Sequence, residues 1–482
     1  MGRALLGILL SLILVGGCVK IPTEEACCMM MPAPCLEYTT EEALKDSNFY
    51  AGDFPEGDWW EMFEDEQLAG LIEEALCSNP TMQMACARVE AAEAGAKLKK
   101  SFLFPSIGFN ADVDWQYFSK NDFFRAFAPT IPGNITEYEI DLDFTYEIDF
   151  WGKNRNTYRA SLGIAKALEA ERQNAALILS TSVAAVYFKL QANMQKLSVL
   201  KEERAVLTKL FQLTLKRQEN ALDNSMQRLG SEEQIYVINK NILLVKQKIA
   251  LINNMLNNLI GRGPDACDEV TPICSLEEIA FPLPCQISSN LLVRRPDLMS
   301  YIWRVESGAH LVGAAKAEFY PRVDLYGLAG LDSIFISKLF GWQSRTGSLK
   351  PAIHLPIFTA GRLKANLREK QAEFEELIFA YNDAVLRAVK EVSDEVISLQ
   401  MVSEKLDVEK LLVANKIQNR KLEALRFKNA IANMLDLLTA QDAVLQQKFS
   451  KIKFEYQRVI TAVKLVKALG GGYCSEEVPF DP

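Results

Sequence analysis

Histidine is almost missing from this chain: His310 and His354 are the only two in 482 residues. Neither has a cysteine or a second histidine at ligand spacing, so imidazole-based metal or acid–base chemistry is not expected. No nucleophile–base signature is present. Gly470-Gly471-Gly472 lacks the strand–loop–helix setting and the Lys-Ser/Thr of a phosphate loop, so it reads as a helix terminator. No enzymatic activity, metal or cofactor is expected. A basic surplus is missing too. The 53 Lys+Arg stand against 62 Asp+Glu, a net charge of −9, which argues against a nucleic-acid partner. Beyond the N-terminus there is no run of roughly 18 uninterrupted apolar residues, so no spanning helix is expected. Two long windows lack helix breakers. Between Gly152 and Asn220 there is no proline and one glycine, Gly163; between Gly361 and Phe427 there is neither. A continuous helix of that length would reach about 100 Å.

What is present is a long-range repeat with two offsets. Asn79-Pro80 recurs as Arg295-Pro296, Arg88-Val89-Glu90 as Arg304-Val305-Glu306, and Pro105 as Pro321, each displaced by 216 positions. Gly152-Lys153 recurs as Gly361-Arg362 and Leu190-Gln191 as Leu399-Gln400, displaced by 209. One unit is therefore used twice, and the first copy carries seven extra residues between Pro105 and Gly152, expected in the loop between its two strands.

The N-terminus has the form of an export signal: Arg3, then an apolar stretch from Ala4 to Val15. Val15-Gly16-Gly17-Cys18 resembles a bacterial lipobox, which makes Cys18 the candidate for acylation. Ten cysteines are present; Cys18, Cys27, Cys28 and Cys35 crowd the start, and Cys267, Cys274 and Cys285 sit in a Pro-containing connector. An exported chain permits disulfides, and their connectivity is open. The expected layout is a signal peptide (1–17), an acylated extended tether (18–58) and repeat one (59–260), with a hairpin at about 104–150 and long helices at about 152–260. A connector (261–290) follows, then repeat two (291–470), with a hairpin at about 319–358 and helices at about 361–470, and a tail (471–482).

Two segments alternate with period two. Ile107, Phe109, Ala111, Val113, Trp115 and Tyr117 alternate with polar residues that include Asp112 and Asp114. Tyr138, Ile140, Leu142, Phe144, Tyr146, Ile148 and Phe150 alternate with Glu137, Glu139, Asp141, Asp143, Thr145, Glu147 and Asp149. In the second copy Val323 and Leu325 alternate with Arg322, Asp324 and Tyr326, and Leu349, Ile353, Leu355 and Ile357 share a face with Lys350 and His354 between them. The helices show coiled-coil spacing at Phe374, Leu377, Tyr381, Val385, Ala388, Val392 and Val396, and again from Leu435 through Val466.

Strands about 12 residues long, aromatic on one face and carboxylate on the other, in an exported chain without a spanning helix, fit a membrane β-barrel: apolar towards lipid, polar towards a lumen. The carboxylates would select cations or simply keep the lumen wet. Four strands cannot close in lipid, so the chain must complete its barrel with copies of itself. Three chains would supply twelve strands, wide enough for a water-filled lumen. The fold expected is thus a mixed α and β membrane protein. It is a trimeric 12-stranded β-barrel, four strands per chain, continued by a long α-helical coiled-coil tunnel and built from two internal repeats.

Several runs together resemble the TolC family of outer-membrane efflux ducts, in its lipoprotein branch serving resistance–nodulation–division pumps. They are Trp59-Trp60 through Phe63, Asp65 and Leu68; Asn79-Pro80; Tyr146 to Gly152; Arg294 to Asp297; Ala317 to Pro321; Leu355 to Phe358 with Gly361-Arg362; Glu391-Val392; and Ala468 to Tyr473. The resemblance covers about residues 57–473. It implies a homotrimer in the bacterial outer membrane, reaching into the periplasm, that passively exports small molecules delivered by an inner-membrane pump and a periplasmic adaptor. A structural, disulfide-linked envelope protein of the same fold is the alternative. In the family the periplasmic helix turns carry a glycine; here those places hold Ala221 and Ala430, and the adjacent Asn220 and Asn429 are expected to supply the left-handed turn. Asp223 and Asp436, with Asn433, are the candidates for an acidic aperture or docking tip. The alternative for both acids is a turn or helix-start role.

Overall fold

The computed structural model describes residues 29–34, 36–43, 49–119, 121, 123, 130, 132–264, 266, 270–273, 281–284 and 294–473. The leader, Cys18, Cys27, Cys28, Cys35 and the connector cysteines lie outside the described residues. The element order is α1 (Glu37–Ala43), β1 (Phe49–Gly52), α2 (Glu66–Ser78), α3 (Pro80–Ser101), β2 (Ser106–Tyr117), β3 (Asn134–Ile148), α4 (Lys153–Glu219) and α5 (Ser225–Leu259). Then follow β4 (Phe281–Pro284), α6 (Pro296–Ala317), β5 (Arg322–Ser333), β6 (Arg345–His354), α7 (Arg362–Lys428) and α8 (Met434–Ala468). Two compact units emerge. Among the described residues, one comprises Met29–Met30, Glu90–Ala167 and Ile302–Ala380, and the other Met31–Val89, Leu168–Tyr301 and Tyr381 onward.

The first unit contains an antiparallel sheet in the order β2-β3-β5-β6. Ser106 pairs with Thr145 in one hairpin and Arg322 with His354 in the other. Those partners differ by the same two offsets, 216 and 209, so both hairpins share one register. The last pair common to both is Trp115–Thr136 in the first and Leu331–Arg345 in the second. The seven extra residues therefore all lie at the hairpin tip, where 116–135 replaces 332–344. A bulge within the strands would have shifted the register and turned every following side chain to the opposite face. The second hairpin pairs only as far as His354, so Leu355 and Ile357 lie past the strand they were expected to extend.

The second unit packs helices around Leu68, Ile72, Tyr187, Leu190, Leu256, Ile260 and Val466. The heptad residues Tyr381, Val385, Ala388, Val392 and Val396 are all buried, as coiled-coil spacing requires. Asp65 caps α2 by accepting hydrogen bonds from the Gln67 and Leu68 amides, while the Tyr187 hydroxyl donates to its other oxygen at 2.6 Å. Burial, with this carboxylate, raises the Tyr187 pKa. The repeat extends to single contacts. Asn79 Nδ2 donates to the carbonyl of Leu259 at 2.7 Å, and Arg295 Nη1 donates to that of Ala468 at 2.9 Å. Asn79 and Arg295 are 216 apart, and Leu259 and Ala468 are 209 apart. Each pre-proline side chain thus holds the orphan carbonyl at the end of a returning helix.

Two expectations change here. One window of α4 is apolar enough to cross a bilayer, but 67% of it is buried within the protein, so it is core. The stretch read as an extended tether contains α1 and β1, and β1 pairs in parallel with β4 from the connector. Four-residue strands are too short to show a period, and only the distant partner reveals them.

Candidate functional site: an acidic strand face and two helix turns

Because strand side chains alternate, the register places the carboxylates on one face of the sheet. Asp112, Glu139 and Asp332 stand side by side across β2, β3 and β5; Asp114 faces Glu137, and Glu147 faces Asp324. Asn110 Nδ2 bridges Asp141 and Asp143 at 3.2 and 3.1 Å. On this face Asp141 and Asp324 are only 5% and 6% exposed. On the other face Ile107, Trp115, Leu349 and Ile353 are 69%, 62%, 72% and 74% exposed. A sheet in water has the reverse order. Burying carboxylates while leaving isoleucine and tryptophan outside is favourable only where the outer medium is apolar and the inner one wet.

Cations temper the acidic face. Arg322 Nε lies 2.8 Å from Asp324 Oδ2, and Lys153 Nζ lies 3.4 Å from Glu147 Oε1. Asp149 does not belong to the strand. It lies beyond the end of β3, where its carboxylate accepts from the Asn154 and Arg155 amides at the start of α4, so its task is a helix cap. Asp324, which alternates with Val323 and Leu325 in the sequence, belongs to this face, and so does Asp332, which the alternation as read from the sequence did not reach. Parity along β5, carried on from Arg322, would have found Asp332.

The second unit holds the turns α4–α5 and α7–α8. Both end their first helix in the same way: Leu222 N–H reaches the Arg217 carbonyl at 2.8 Å, and Ile431 N–H reaches that of Arg426 at 2.8 Å. Such a five-residue return needs a left-handed residue at its corner, normally glycine. Here Ala221 and Ala430 take it, both with φ +57°. The expectation that Asn220 and Asn429 would adopt this conformation is thus corrected. The position after the helix end is set by hydrogen-bond closure, and alanine occupies that position. Asn220 Nδ2 instead donates to the Lys216 carbonyl.

The two acids of the turns have different surroundings. Asp223 receives a forked pair from Arg217, Nε to Oδ2 at 2.6 Å and Nη2 to Oδ1 at 3.2 Å. The guanidinium holds the Asp223 pKa below its usual value. Asp436 forms a capping box with Asn433: its amide donates to Asn433 Oδ1, and its carboxylate accepts the Asn433 amide. It therefore has the helix-start role named as the alternative above. No group of three or more His, Cys, Asp or Glu arranged to hold a metal occurs among the described residues.

An inverted four-stranded sheet with repeated long helices defines an outer-membrane channel of the barrel-and-helical-tunnel class. The comparisons agree. A family profile described as outer membrane efflux protein matches residues 71–262 and 287–471, and the chain belongs to that family. It is 30% identical over 476 residues, 97% of this chain and 96% of the relative, to the multidrug resistance outer membrane protein MdtP of Shigella flexneri and equally to that of Escherichia coli K12. The crystal structure of the outer membrane protein VceC from Vibrio cholerae superposes with a TM-score of 0.76 at 29% identity, covering 87% of this chain and 100% of that one. The outer-membrane channel OprN superposes at 0.81 with 22% identity, over 94% of this chain and 99% of that one, which speaks for the fold.

Proposed function

We propose that three copies of this chain close a 12-stranded barrel and form the outer-membrane duct of a tripartite efflux system. The duct passively exports small molecules handed on by an inner-membrane pump and a periplasmic adaptor. The observation that carries this reading is the inverted sheet with two open edges. The outer edges of β2 and β6 have no partner among the described residues, and open edges are not tolerated in lipid. Pairing β6 of one copy with β2 of the next closes the ring without a new element. The helices support the same assembly. On α5, Leu229, Tyr236 and Leu243 step by seven and are exposed, as are Val237, Leu244 and Leu251, while Ile238, Ile242, Val245 and Ile252 face the chain's own core. An exposed apolar heptad stripe beside a buried one is suited to a second helix.

In this reading the acidic strand face lines the lumen, the α4–α5 and α7–α8 turns form the adaptor-facing tip, and acylated Cys18 adds a lipid anchor. The relatives' description as multidrug resistance proteins points to several small-molecule substrates. Purified protein in detergent should have the mass of a trimer and should open steady conductances in planar bilayers. A monomer without conductance overturns the reading.

A further inference from the structure

The tip of the second hairpin, residues 334–344, is rich in apolar side chains. Its backbone is closed by bonds from Lys338 N to Phe335 O at 2.9 Å and Gly341 N to Lys338 O at 2.8 Å, and by Ser344 Oγ to Lys338 O at 2.8 Å. Yet it turns Phe335, Ile336, Phe340 and Trp342 outward, the last two 79% and 75% exposed. Its charges are of one sign. The segment Ser333–Arg345 has no acidic residue and two cations, Lys338 and Arg345, neither of which forms an ion pair among the described residues. Each cation instead stacks on an aromatic ring, Arg345 over Trp342 at 3.1 Å and Lys338 over Phe335 at 5.1 Å.

Register decides which side of the sheet Arg345, and with it the stacked Trp342, occupies. Arg345 pairs with Leu331 and shares its face with Leu349 and Ile353, the apolar face, not with Lys350 and His354 on the acidic one. Trp115, Tyr117 and Tyr138 occupy the same face at the same end of the sheet. Trp342 thus extends a row of amphipathic aromatics at the margin of the lipid-facing band, the position at which such rings meet headgroups.

We infer that Trp342–Arg345 and Lys338 form an anionic-lipid site on the outer wall of the barrel. The rings sit at the headgroup level, and the two cations take the phosphates of outer-leaflet lipid. This rests on the membrane-channel reading above. The cations make the headgroup, rather than the acyl chain, the recognised part, because a guanidinium or ammonium at this depth gains from phosphate what it cannot gain from hydrocarbon.

The test uses the full-length protein in nanodiscs of phosphatidylglycerol and phosphatidylcholine, with the latter brominated near the headgroup end of its acyl chains. Bromine should quench Trp342, seen as quenchable emission lost in Trp342→Phe. It should also quench Trp115, seen in Trp115→Phe. Quenching of Trp115 without Trp342 overturns this inference and leaves the membrane reading intact; quenching of neither overturns the membrane reading itself. In a second arm, phosphatidylglycerol retained through detergent extraction is counted by native mass spectrometry. Arg345→Gln and Lys338→Gln should each lower it by about fivefold, with Arg345→Lys retaining it. Retention unchanged in the glutamine variants, or competition by millimolar inorganic phosphate, overturns the lipid-headgroup assignment.

Discussion

Replacing Ala221 and Ala430 by glycine should tighten both helix turns. Each alanine sits at φ +57°, where an L-residue carries a penalty of about 1–2 kcal/mol from its Cβ. Glycine removes that penalty but returns about 0.5–1 kcal/mol as extra freedom of the open chain. The net gain is about 0.5–1 kcal/mol per turn. It is local, so it should be read locally. The Leu222 and Ile431 amides close the two turns through the Arg217 and Arg426 carbonyls, and their exchange with deuterium follows turn opening. Slowing by about two- to fivefold is expected in Ala221→Gly and Ala430→Gly, measured by mass spectrometry on peptides covering each turn. Asn220→Gly and Asn429→Gly serve as controls of opposite sign. Neither asparagine is left-handed, so glycine there only adds disorder, and exchange should speed up. Faster exchange in the alanine variants, or slower exchange in the asparagine ones, would refute the assignment of the turn corner.

Two further outcomes follow from the packing. Gly470 has φ +97°, and a Cβ there would overlap the Arg294 carbonyl oxygen, whereas Gly361 at φ +85° has open space around its missing Cβ. Gly470→Ala should lower thermal stability by about 3 kcal/mol or more and Gly361→Ala by about 1 kcal/mol; equal losses in differential scanning fluorimetry would contradict the close approach. Glu203 on α4 is buried and faces Asp442, with Gln446, from α8; burial first and the Asp442 charge second raise its pKa to about 7. The folded state therefore holds a proton that the open chain releases near 4.5, and stability falls as pH rises between about 4.5 and about 7. Glu203→Gln should flatten that slope and stabilise the protein by about 2 kcal/mol at pH 8; an unchanged pH profile of chemical denaturation would exclude Glu203 as its source.

Much of the architecture was legible because it is periodic. The alternation from Glu137 to Ile148 is a local property, and the register preserves it: the acids and the aromatics fall on opposite faces as the sequence alternates them. The heptads from Tyr381 to Val396 are likewise local and are buried as spaced. The site was legible only in part. Asp149 continues the alternation in sequence but has left the strand, because the helix that follows competes for its carboxylate. Asp436 looks like an exposed acid and is consumed by a cap. Asp223 looks free and is claimed by Arg217, six residues away across a turn whose corner had to be known first.

The amino-acid order alone determined the repeat and its two offsets, which are relations along the chain, and the periods of β2, β3, α7 and α8 with the chemistry of the strand faces, which depend on neighbours within a few positions. It also implied seven extra residues in the first copy. The loop between the strands was the expected place for them, and strand register, a relation between distant residues, sets all seven at the hairpin tip and keeps the faces aligned. Only the tertiary structure decided the paired clamps Asn79–Leu259 and Arg295–Ala468 and the left-handed Ala221 and Ala430. Hydrogen-bond closure between separated segments sets those conformations, and it can override the preference of the residue that occupies the place.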